Sequence, residues 1–520
     1  MYKLLLCWRY LLTRFIALAS VISVMLGVAT MIVVNAVMLG FASEMKDRIH
    51  GILADVIFQS HGLNKGFPDY EWHREKILEA AGDLIEELTP TAVTPGMLTY
   101  QSSWMENPAS FQVDIVGIDV LTQGKVSKIA SYLQHSENRK NLSFDLHDDG
   151  YDAQGEGNNG SYRRAMTWAG WEYRRYNAAA KKYQQRQLDS QRHAPESSSP
   201  TEATDGPADP FAFLPPSEAT VFDPAKEQHA GVIVGIGISL YRRTHTTDPE
   251  TGNKIVQDDL MLIPGDDVTL SFPTAELPLR FQSDNFTVVD LYESKMVDYD
   301  RRLVFVPIEK LQHLRGMIDT DSGRPTVTQI LIKVKPGVDI NLVQDRLQEV
   351  FPAELFSIKT WRDEQAELLN AVFTELAMLN VLLFLIFAVA GFGILAIFYM
   401  IVIEKQKDIG ILKSLGASSG GVMQIFLYYS LLLGIVGCTL GLGMGLLFVK
   451  YIREIAIVLS YILQRDVFSP EVYSFYEIPA VVDIPTVIGI IAGAILIAVS
   501  AGVLPALRAA RVHPVESLRS

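Results

Sequence analysis

Few residues in this sequence have the types and spacing that could support chemistry. Asp145, His147, Asp148 and Asp149 lie close together and carry side chains that can ligate a metal ion. They sit in a polar stretch of low complexity, so a solvated loop explains them as well as a metal site does. Gly235-Ile236-Gly237 lacks the third glycine and the following helix of a dinucleotide-binding turn, and we interpret it as a turn at a strand edge.

Signatures of enzymes are missing from the sequence. The chain has no G-x-x-x-x-G-K-S/T phosphate loop, no nucleophile elbow and no zinc-binding helix. We therefore expect a non-catalytic chain that binds no metal or cofactor of its own. The informative features are mechanical, and they depend on the elements that position them.

Four long windows contain no charged residue, although the chain of 520 residues is 20% charged. A bilayer core about 30 Å thick needs roughly 20 apolar residues in a helix. A cleaved signal peptide is the alternative for the first window, but its apolar core would be only about 7–15 residues long. The sequence predicts four transmembrane helices, at 15–43, 372–403, 421–450 and 484–507.

Basic residues mark one side of the predicted membrane. The loop 451–483, in contrast, holds only two basic residues against five acids. Because cytoplasmic flanks are enriched in Lys and Arg, the three basic flanks predict cytoplasmic termini and a large domain, 44–371, on the other side. The basic residues are Lys3, Arg9 and Arg14 before the first helix, Lys405, Lys407 and Lys413 between the second and third, and Arg508, Arg511 and Arg519 at the end.

The domain 44–371 is expected to be α+β and acidic, and it contains no cysteine. Helical spacing of apolar residues occurs at 70–88 and 340–351. Strand-like runs occur at 111–118, 232–240, 259–263, 267–272, 286–292, 302–307 and 327–335. The acidic charge argues against nucleic acid as a partner.

A low-complexity insert, 136–229, interrupts this domain. Its part 161–192 holds eight lysines and arginines with interleaved Trp and Tyr, and 193–229 is acidic and rich in Pro and Ser. We interpret the first part as a solvated helix and the second as a disordered tether. The helix could lie on lipid headgroups or on a partner, or the two parts could simply neutralise each other.

Short segments at the predicted cytoplasmic side have amphipathic patterns. Residues 1–14 predict a basic amphipathic helix at the membrane interface. In 404–420, Ile409, Leu412 and Leu415 recur at near-helical spacing behind a cluster of charges. Such a helix could press its apolar side into a groove of another protein and transmit rigid-body motion, or it could be a solvated connector.

Glycines are frequent in the last two predicted spans. Gly437, Gly441 and Gly445 form small-xxx-small pairs in the third span, and Gly489 and Gly493 lie in the fourth. Small faces allow helices to approach closely in lipid. We expect packing within this bundle, with packing across a dimer as the alternative.

Four segments resemble a known permease family. Met38–Ile49 (MLGFASEMKDRI) and Thr360–Asn370 (TWRDEQAELLN) resemble parts of the LolC/LolE lipoprotein-releasing permeases. Glu404–Ala417 resembles the coupling helix, and Pro505–Arg519 the carboxyl terminus, of the wider MacB/FtsX-type (type VII) ABC superfamily. The resemblance implies four membrane helices with an extracytoplasmic α+β domain of the MacB-like periplasmic core type.

The resemblance also implies the partners. It predicts an inner-membrane complex with a cytoplasmic ABC ATPase dimer that uses ATP and Mg²⁺, and with a second permease copy or paralogue. A lipoprotein substrate, membrane lipid and a periplasmic carrier would complete it. The residues expected to contact the ATPase are Glu404, Lys405, Gln406, Lys407, Asp408, Gly410, Leu412, Lys413 and Gly416. Those expected near the acyl-chain cavity are Val33, Val37, Met38, Phe41, Phe373, Leu376 and Leu379.

Two other functions fit the superfamily. One is MacB-type efflux or export through an outer-membrane partner, and the other is FtsX-type regulation of cell-wall hydrolases. The narrower matches at 38–49 and 360–370 favour lipoprotein release. The insert 136–229 departs from the family pattern, so the sequence assigns no carrier-binding residues.

Overall fold

The computed structural model describes residues 15–511 apart from 62–65, 102–107, 152–161, 164–165, 167, 193–221, 248–253, 277, 295, 320–322 and 464–478. The amphipathic helix expected at 1–14 and most of the predicted tether lie outside the described residues. The chain forms two compact units, which are a helical bundle (Met1–Asp47 with Gln365–Ser520) and an α+β domain (Arg48–Glu364).

The helices and strands are as follows in chain order. The helices are α1 (Phe15–Ile52), α2 (Tyr70–Ala81), α3 (Val120–Val126), α4 (Ser136–Lys140), α5 (Trp171–Arg192), α6 (Ile236–Ser239), α7 (Val297–Asp300), α8 (Ile308–Arg315), α9 (Ile340–Val350), α10 (Trp361–Glu364), α11 (Ala366–Glu404), α12 (Gln406–Ser414), α13 (Ser419–Lys450), α14 (Ile452–Leu463) and α15 (Ile484–Ala510). The strands are β1 (Val56–Ser60), β2 (Ile85–Tyr100), β3 (Ala109–Ile118), β4 (Tyr162–Arg163), β5 (Ala230–Gly235), β6 (Leu240–Thr247), β7 (Lys254–Leu260), β8 (Asp267–Pro273), β9 (Phe281–Tyr292), β10 (Leu303–Pro307), β11 (Gln329–Val334) and β12 (Phe356–Thr360).

Helices α1, α11, α13 and α15 are long and apolar enough to cross a membrane, which confirms the prediction of four such helices. Helices α1 and α11 extend farthest beyond the uncharged sequence windows, since α1 continues to Ile52 and α11 begins at Ala366. Ser418 and Asp483 start α13 and α15 with side-chain caps on the main-chain amides of Gly421 and Thr486.

The glycines of α13 pack against α1. A methyl group on Gly437 would lie 2.7 Å from the Val24 side chain, and one on Gly441 would lie 2.7 Å from the main-chain oxygen of Met25. Contacts this close leave no room for a side chain, so the two backbones touch directly. The small residues of α13 therefore pack within this bundle.

Other glycines of the predicted small faces point elsewhere. A methyl group on Gly443, Gly489 or Gly493 would meet no atom within 4 Å among the described residues. The face that α15 buries is instead built from alanines together with Gly502 and Pro505. The expected role of Gly489 and Gly493 in packing within this bundle was therefore wrong.

The α+β domain is built on a sheet of nine strands in the order β12-β1-β11-β2-β3-β10-β5-β9-β8. The 16-residue strand β2 pairs with β11, β3 and β8 along different parts of its length. Its pairing with β8 closes six of the strands into a ring. One large core of buried aliphatic and aromatic side chains fills this domain, and β4, β7 and β6 form a small separate sheet.

The segment 70–88 is only partly helical. Helix α2 ends at Ala81, and Ile85 and Leu88 belong to β2, so the predicted helix was seven residues too long. Gly82 follows the last helical residue, and the next residues are β-branched and proline-rich up to Pro95. The pairing of β2 with three other strands outweighs the local helical spacing.

Helix α5 confirms the helix expected within 161–192, and in its first half Tyr173 and Arg174 anchor an otherwise largely exposed helix to the domain. The Arg174 guanidinium is buried and donates to the Asp267 carboxylate at 2.7 Å and to the main-chain oxygen of Gly265 at 3.1 Å. The Tyr173 hydroxyl lies 3.1 Å from the Asp266 carboxylate. From Lys181 onward, each side chain that the structure describes in α5 is exposed.

Gly441→Ala is expected to destabilise the bundle by about 1–3 kcal/mol, because its methyl group would overlap the backbone of α1. The matched control is Gly443→Ala, two residues along α13, where the space is open. That control is expected to be neutral or stabilising by up to about 1 kcal/mol, since alanine favours helix. Thermal unfolding in detergent measures both. Equal stability of the two variants would contradict the packing described for α13.

Arg174→Ala is expected to destabilise the α+β domain by about 3 kcal/mol, because it leaves Asp267 and the main-chain oxygens of Gly265 and Glu227 without their buried partner. Arg175→Ala is the matched control, since its side chain is 60% exposed and 3.6 Å from Asp148. Limited proteolysis within α5, followed with urea unfolding, reports both changes. If the two variants were cleaved at the same rate, Arg174 would not be the anchor of α5.

Candidate functional site

Helix α12 joins the membrane helices α11 and α13 and has defined ends. At its end the Ala417 amide donates to the Leu412 carbonyl at 3.0 Å, and Gly416 adopts a φ of 98°. A positive φ is accessible to glycine without steric cost, so Gly416 ends the helix and turns the chain into α13.

One side of α12 is fastened to the bundle. Ile409 is buried with Val402, Val422 and Ala509, which belong to α11, α13 and α15. The Lys413 ammonium donates to the main-chain oxygen of Ala510, the last residue of α15, at 2.7 Å. A cation is favourable there because the last carbonyls of a helix carry partial negative charge. A force applied to α12 therefore acts on three membrane helices.

The opposite side of α12 is exposed and has mixed character. Leu415 is 80% exposed, and Ile411 and Leu412 are exposed by nearly half. Lys407 and Asp408 are exposed beside them, and Asp408 accepts a hydrogen bond from Lys405 at 2.7 Å. An apolar patch edged by charges is typical of a protein-docking surface.

The residues predicted to contact an ATPase fall into three groups in the structure. Gly410 is buried, and Lys413 is used to hold α15. Ile411 was missing from the predicted set, although helical spacing places it one turn before Leu415. The exposed residues of the predicted set are Glu404, Lys407, Asp408, Leu412 and Gly416. The half-buried residues are Lys405, Gln406 and Lys413.

An open groove of about 640 Å³ runs along the first half of α11. Its first end is polar, with Glu367, Asn370 and Thr374, and it continues into apolar residues from Met378 onward. The exposed surface of this lining is nevertheless mostly apolar. The complete lining is Glu367, Asn370, Ala371, Thr374, Glu375, Met378, Leu379 and Leu382, all on α11.

Of the residues predicted near an acyl-chain cavity, Leu379 lines this groove. Phe373 is on the same helix and 63% exposed but is not part of the lining. Val33, Val37, Met38 and Phe41 are half-buried on α1. Helices α1 and α11 meet deeper in the bundle, where a methyl group on Gly27 would lie 2.7 Å from the Phe387 ring.

A second candidate cluster, in the α+β domain, consists of His135, Glu137 and His147, whose possible ligand atoms lie within 4.8 Å of one another. The two imidazole rings stack 3.9 Å apart with a 3° angle between their planes. The lone pair of an imidazole nitrogen lies in the plane of its ring, so two rings stacked in parallel do not direct their lone pairs at one ion. His135 also uses both nitrogens, since Nε2 lies 2.8 Å from the Asp149 carbonyl oxygen and Nδ1 accepts from the Glu137 amide at 3.3 Å. The cluster therefore does not fit a metal ion.

The four residues predicted as possible ligands are not brought together. Asp145 accepts a hydrogen bond from Ser143, and Asp148 faces Arg175. The His135 region is instead anchored by Asp290, which accepts bonds from the His135 amide at 3.3 Å and from Asn138 at 2.8 Å. Burial raises the pKa of Asp290 to about 6, although the hydrogen bond from Asn138 and those from main-chain amides oppose this. The arrangement is structural.

Known proteins are similar to parts of this chain, and the chain spans only part of the length of each relative described below. Residues 380–514 match the FtsX-like permease C-terminal family. The "Lipoprotein-releasing system transmembrane protein LolC" of Xylella fastidiosa (strain 9a5c) is 28% identical over 254 residues, which cover 48% of this chain and 58% of that protein. The protein of the same name from Neisseria meningitidis serogroup B (strain ATCC BAA-335 / MC58) is 26% identical over 313 residues, covering 60% and 68%.

A protein that is named for a different activity is also similar. The "Macrolide export ATP-binding/permease protein MacB" of Bdellovibrio bacteriovorus (strain ATCC 15356 / DSM 50701 / NCIMB 9529 / HD100) is 27% identical over 262 residues, 48% of this chain and 36% of that protein. The FtsX-like match spans most of α11 and all of α12, α13 and α15. Four apolar helices, the short helix α12 between two of them and these similarities support a relationship of the chain to the LolC/LolE–MacB/FtsX family of ABC transporter permeases.

Proposed function

We propose that this chain is the permease subunit of an ABC transporter that extracts lipoproteins from the outer leaflet of the inner membrane and passes them to a periplasmic carrier. The observation that carries the proposal is helix α12. Its inner side is fastened to three membrane helices, and its outer side leaves Ile411, Leu412 and Leu415 exposed. Such a helix is suited to receive motion from a partner.

A separate ATPase dimer would supply that motion. The chain has no phosphate-binding loop of the Walker type, so ATP and Mg²⁺ would be bound by the partner. Closure of the ATPase dimer would press on the exposed side of α12. The buried Ile409 and the bond from Lys413 would pass this displacement to α11, α13 and α15 together.

The charge distribution supports an orientation. Lys405 lies at the start of α12, and Lys407 and Lys413 lie within it, so the positive-inside rule supports a cytoplasmic position for this helix. Helices α1 and α11 would then carry the chain across the inner membrane to a periplasmic α+β domain. Both termini would be cytoplasmic.

The groove on α11 would accept part of a lipoprotein. Its polar end is chemically suited to the linkage at a lipidated cysteine, and its apolar residues, Met378, Leu379 and Leu382, are suited to an acyl chain. Because α11 exposes apolar side chains on several sides, a second permease copy or a paralogue would be needed to enclose this groove.

MacB-type export is the second candidate, because the Bdellovibrio relative named for macrolide export is similar over 48% of this chain. FtsX-type regulation of cell-wall hydrolases would use the same α12 without a substrate path through the bundle. The LolC relatives and the polar-to-apolar groove favour lipoprotein release.

Depletion of the chain tests the proposed function directly. Triacylated lipoproteins are expected to accumulate in the inner-membrane fraction within a few generations, as measured by fractionation and immunoblotting. Normal delivery to the outer membrane, combined with greater sensitivity to macrolides, would favour export instead. Normal delivery with failure of cell separation would favour hydrolase regulation.

Leu415→Asp is expected to lower ATP-driven lipoprotein release at least tenfold, because a charge replaces the most exposed apolar side chain of the α12 docking side. The bundle should stay folded, since Leu415 is 80% exposed and contributes little to packing in this chain. Leu342→Asp, at a residue 45% exposed on α9 of the other unit, is the control and should release normally. Co-purification of the ATPase and release from proteoliposomes are measured. Full ATPase binding by Leu415→Asp would remove α12 as the docking element.

Met378→Trp is expected to slow lipoprotein release severalfold, because a larger side chain narrows the groove on α11. Phe373→Trp is the matched control, since Phe373 lies on the same helix with similar exposure and does not line the groove. Photo-crosslinking to acyl chains and the release rate are measured in the reconstituted complex. Equal effects of the two substitutions would contradict the assignment of the groove.

A further inference from the structure

The α+β domain begins and ends beside one buried carboxylate. The domain starts at Arg48, in the last turns of α1, and ends at Glu364, two residues before α11. Asp55 lies just after α1, and its side chain is only 5% exposed. It precedes β1, which pairs with β11 on one side and with β12 on the other.

Three donors from two elements, α1 and β11, bind the Asp55 carboxylate. His50, in the last turn of α1, donates from Nε2 to one oxygen at 2.5 Å. The Val334 amide and the Lys333 ammonium, both of β11, reach the other oxygen at 2.8 and 3.1 Å. The end of α1 is therefore tied to the sheet through a single side chain.

The chain returning toward α11 is tied to the same residue. The Trp361 amide donates to the main-chain oxygen of Asp55 at 3.2 Å. The Trp361 indole is buried and stacks on the His50 ring with centroids 5.2 Å apart and a 28° angle. Thr360 and Asp363 bond to each other and fix the turn that contains Trp361. His50 thus contacts Asp55 through its edge and Trp361 through its face.

The electrostatics favour an ionised Asp55. Burial alone would raise the pKa of this carboxyl, but the hydrogen bond from His50, the Val334 amide and the charge of Lys333 lower it below its usual value. A buried carboxylate that loses its donors is strongly destabilised, so separating the end of α1 from β11 at Asp55 is energetically costly. The two places where the chain enters and leaves the domain are held as one unit.

We propose that Asp55, with His50, Lys333 and Trp361, forms a clasp that makes the domain ends of α1 and of the α11 connection move together, with Asp55 as its positioning residue. This role rests on the proposed function, because it matters for a permease that transmits motion through these two connections. Without the clasp, displacement of one connection would be lost in local opening of residues 48–55 and 361–364 and would not move the domain.

The test uses the full-length chain with its ATPase in nanodiscs. Asp55→Asn keeps the shape of the side chain but removes its charge, and His50→Ala removes one donor whose side chain is 40% exposed, so it opens no cavity in the core. Asp83→Asn is the control, because its carboxylate is 63% exposed and pairs with Arg346 at 2.8 Å in the same domain. His50→Gln retains a side-chain donor and serves as the conservative variant.

Hydrogen exchange and transport are measured on each complex. In Asp55→Asn and His50→Ala, peptides covering 48–60 and 356–366 are expected to exchange at least tenfold faster, with the rest of the domain unchanged. Release of a triacylated lipoprotein should fall at least fivefold while the ATPase rate is kept, and His50→Gln should restore part of it. Asp83→Asn should match the wild type in all measurements.

The outcomes separate the clasp from the proposed function. If the peptides of both variants exchange hydrogen as slowly as those of the wild type, the clasp is refuted, whatever the substrate is. Faster exchange with unchanged release would overturn its role in transmission. If Asp55→Asn fails to fold, His50→Ala decides. A wild-type complex that releases no lipoprotein would refute the proposed function alone, since the exchange result still decides whether the clasp exists.

Discussion

Helices in lipid gain little from burying apolar surface, so close contact between backbones determines how this bundle is held together. Helix α13 provides that contact on two sides. Gly437 and Gly441 bring it against α1, and a methyl group on Gly434 would lie 3.1 Å from Ala498 of α15. Gly502 of α15 in turn faces Ser430 of α13.

The first half of helix α11 is little enclosed by the rest of the bundle, and the contacts of this helix explain why. The close contacts come from its second half, where Phe387 approaches Gly27 of α1 and Gly391 approaches Ile497 of α15. Before Phe387, most large apolar side chains that the structure describes are exposed. The half of α11 that leads to the α+β domain is therefore free to bind a ligand or another chain, whereas the half that leads to α12 is fixed.

The length of the apolar windows and the absence of charged residues in them were sufficient to predict the four membrane helices. A bilayer requires both a minimum length and an apolar composition of a helix that crosses it. Strands such as β8, β9 and β10 were recognisable from their apolar runs. Strand β2 was not recognisable, since Ile85 and Leu88 also fit helical spacing, and only pairing with distant strands decides between helix and strand.

The anchoring of α5 was missed for a similar reason. Arg174 is one of eight basic residues in its segment, and its burial depends on Asp267 and Gly265, about 90 positions away.

The same limit applies to the candidate site. Helical spacing identified Ile409, Leu412 and Leu415 as one pattern, but the structure buries the first and exposes the others. The difference arises because Ile409 meets Val422 and Ala509, whose proximity depends on how α13 and α15 pack.

Directional bonds occur where elements must not slide past each other. Apolar contacts are weakly directional and tolerate small shifts, whereas a charged hydrogen bond is lost when its donor moves by about 1 Å. Lys413 binds the end of α15 in the bundle, and Asp55 binds the end of α1 in the α+β domain. Both bonds involve a charge that is partly or fully removed from water, so breaking them costs more than breaking a surface ion pair.

The groove on α11, in contrast, becomes apolar from Met378 onward, where a bound chain could move without breaking any directional bond. This chain thus places its directional bonds at helix ends and its apolar contacts along a helix side.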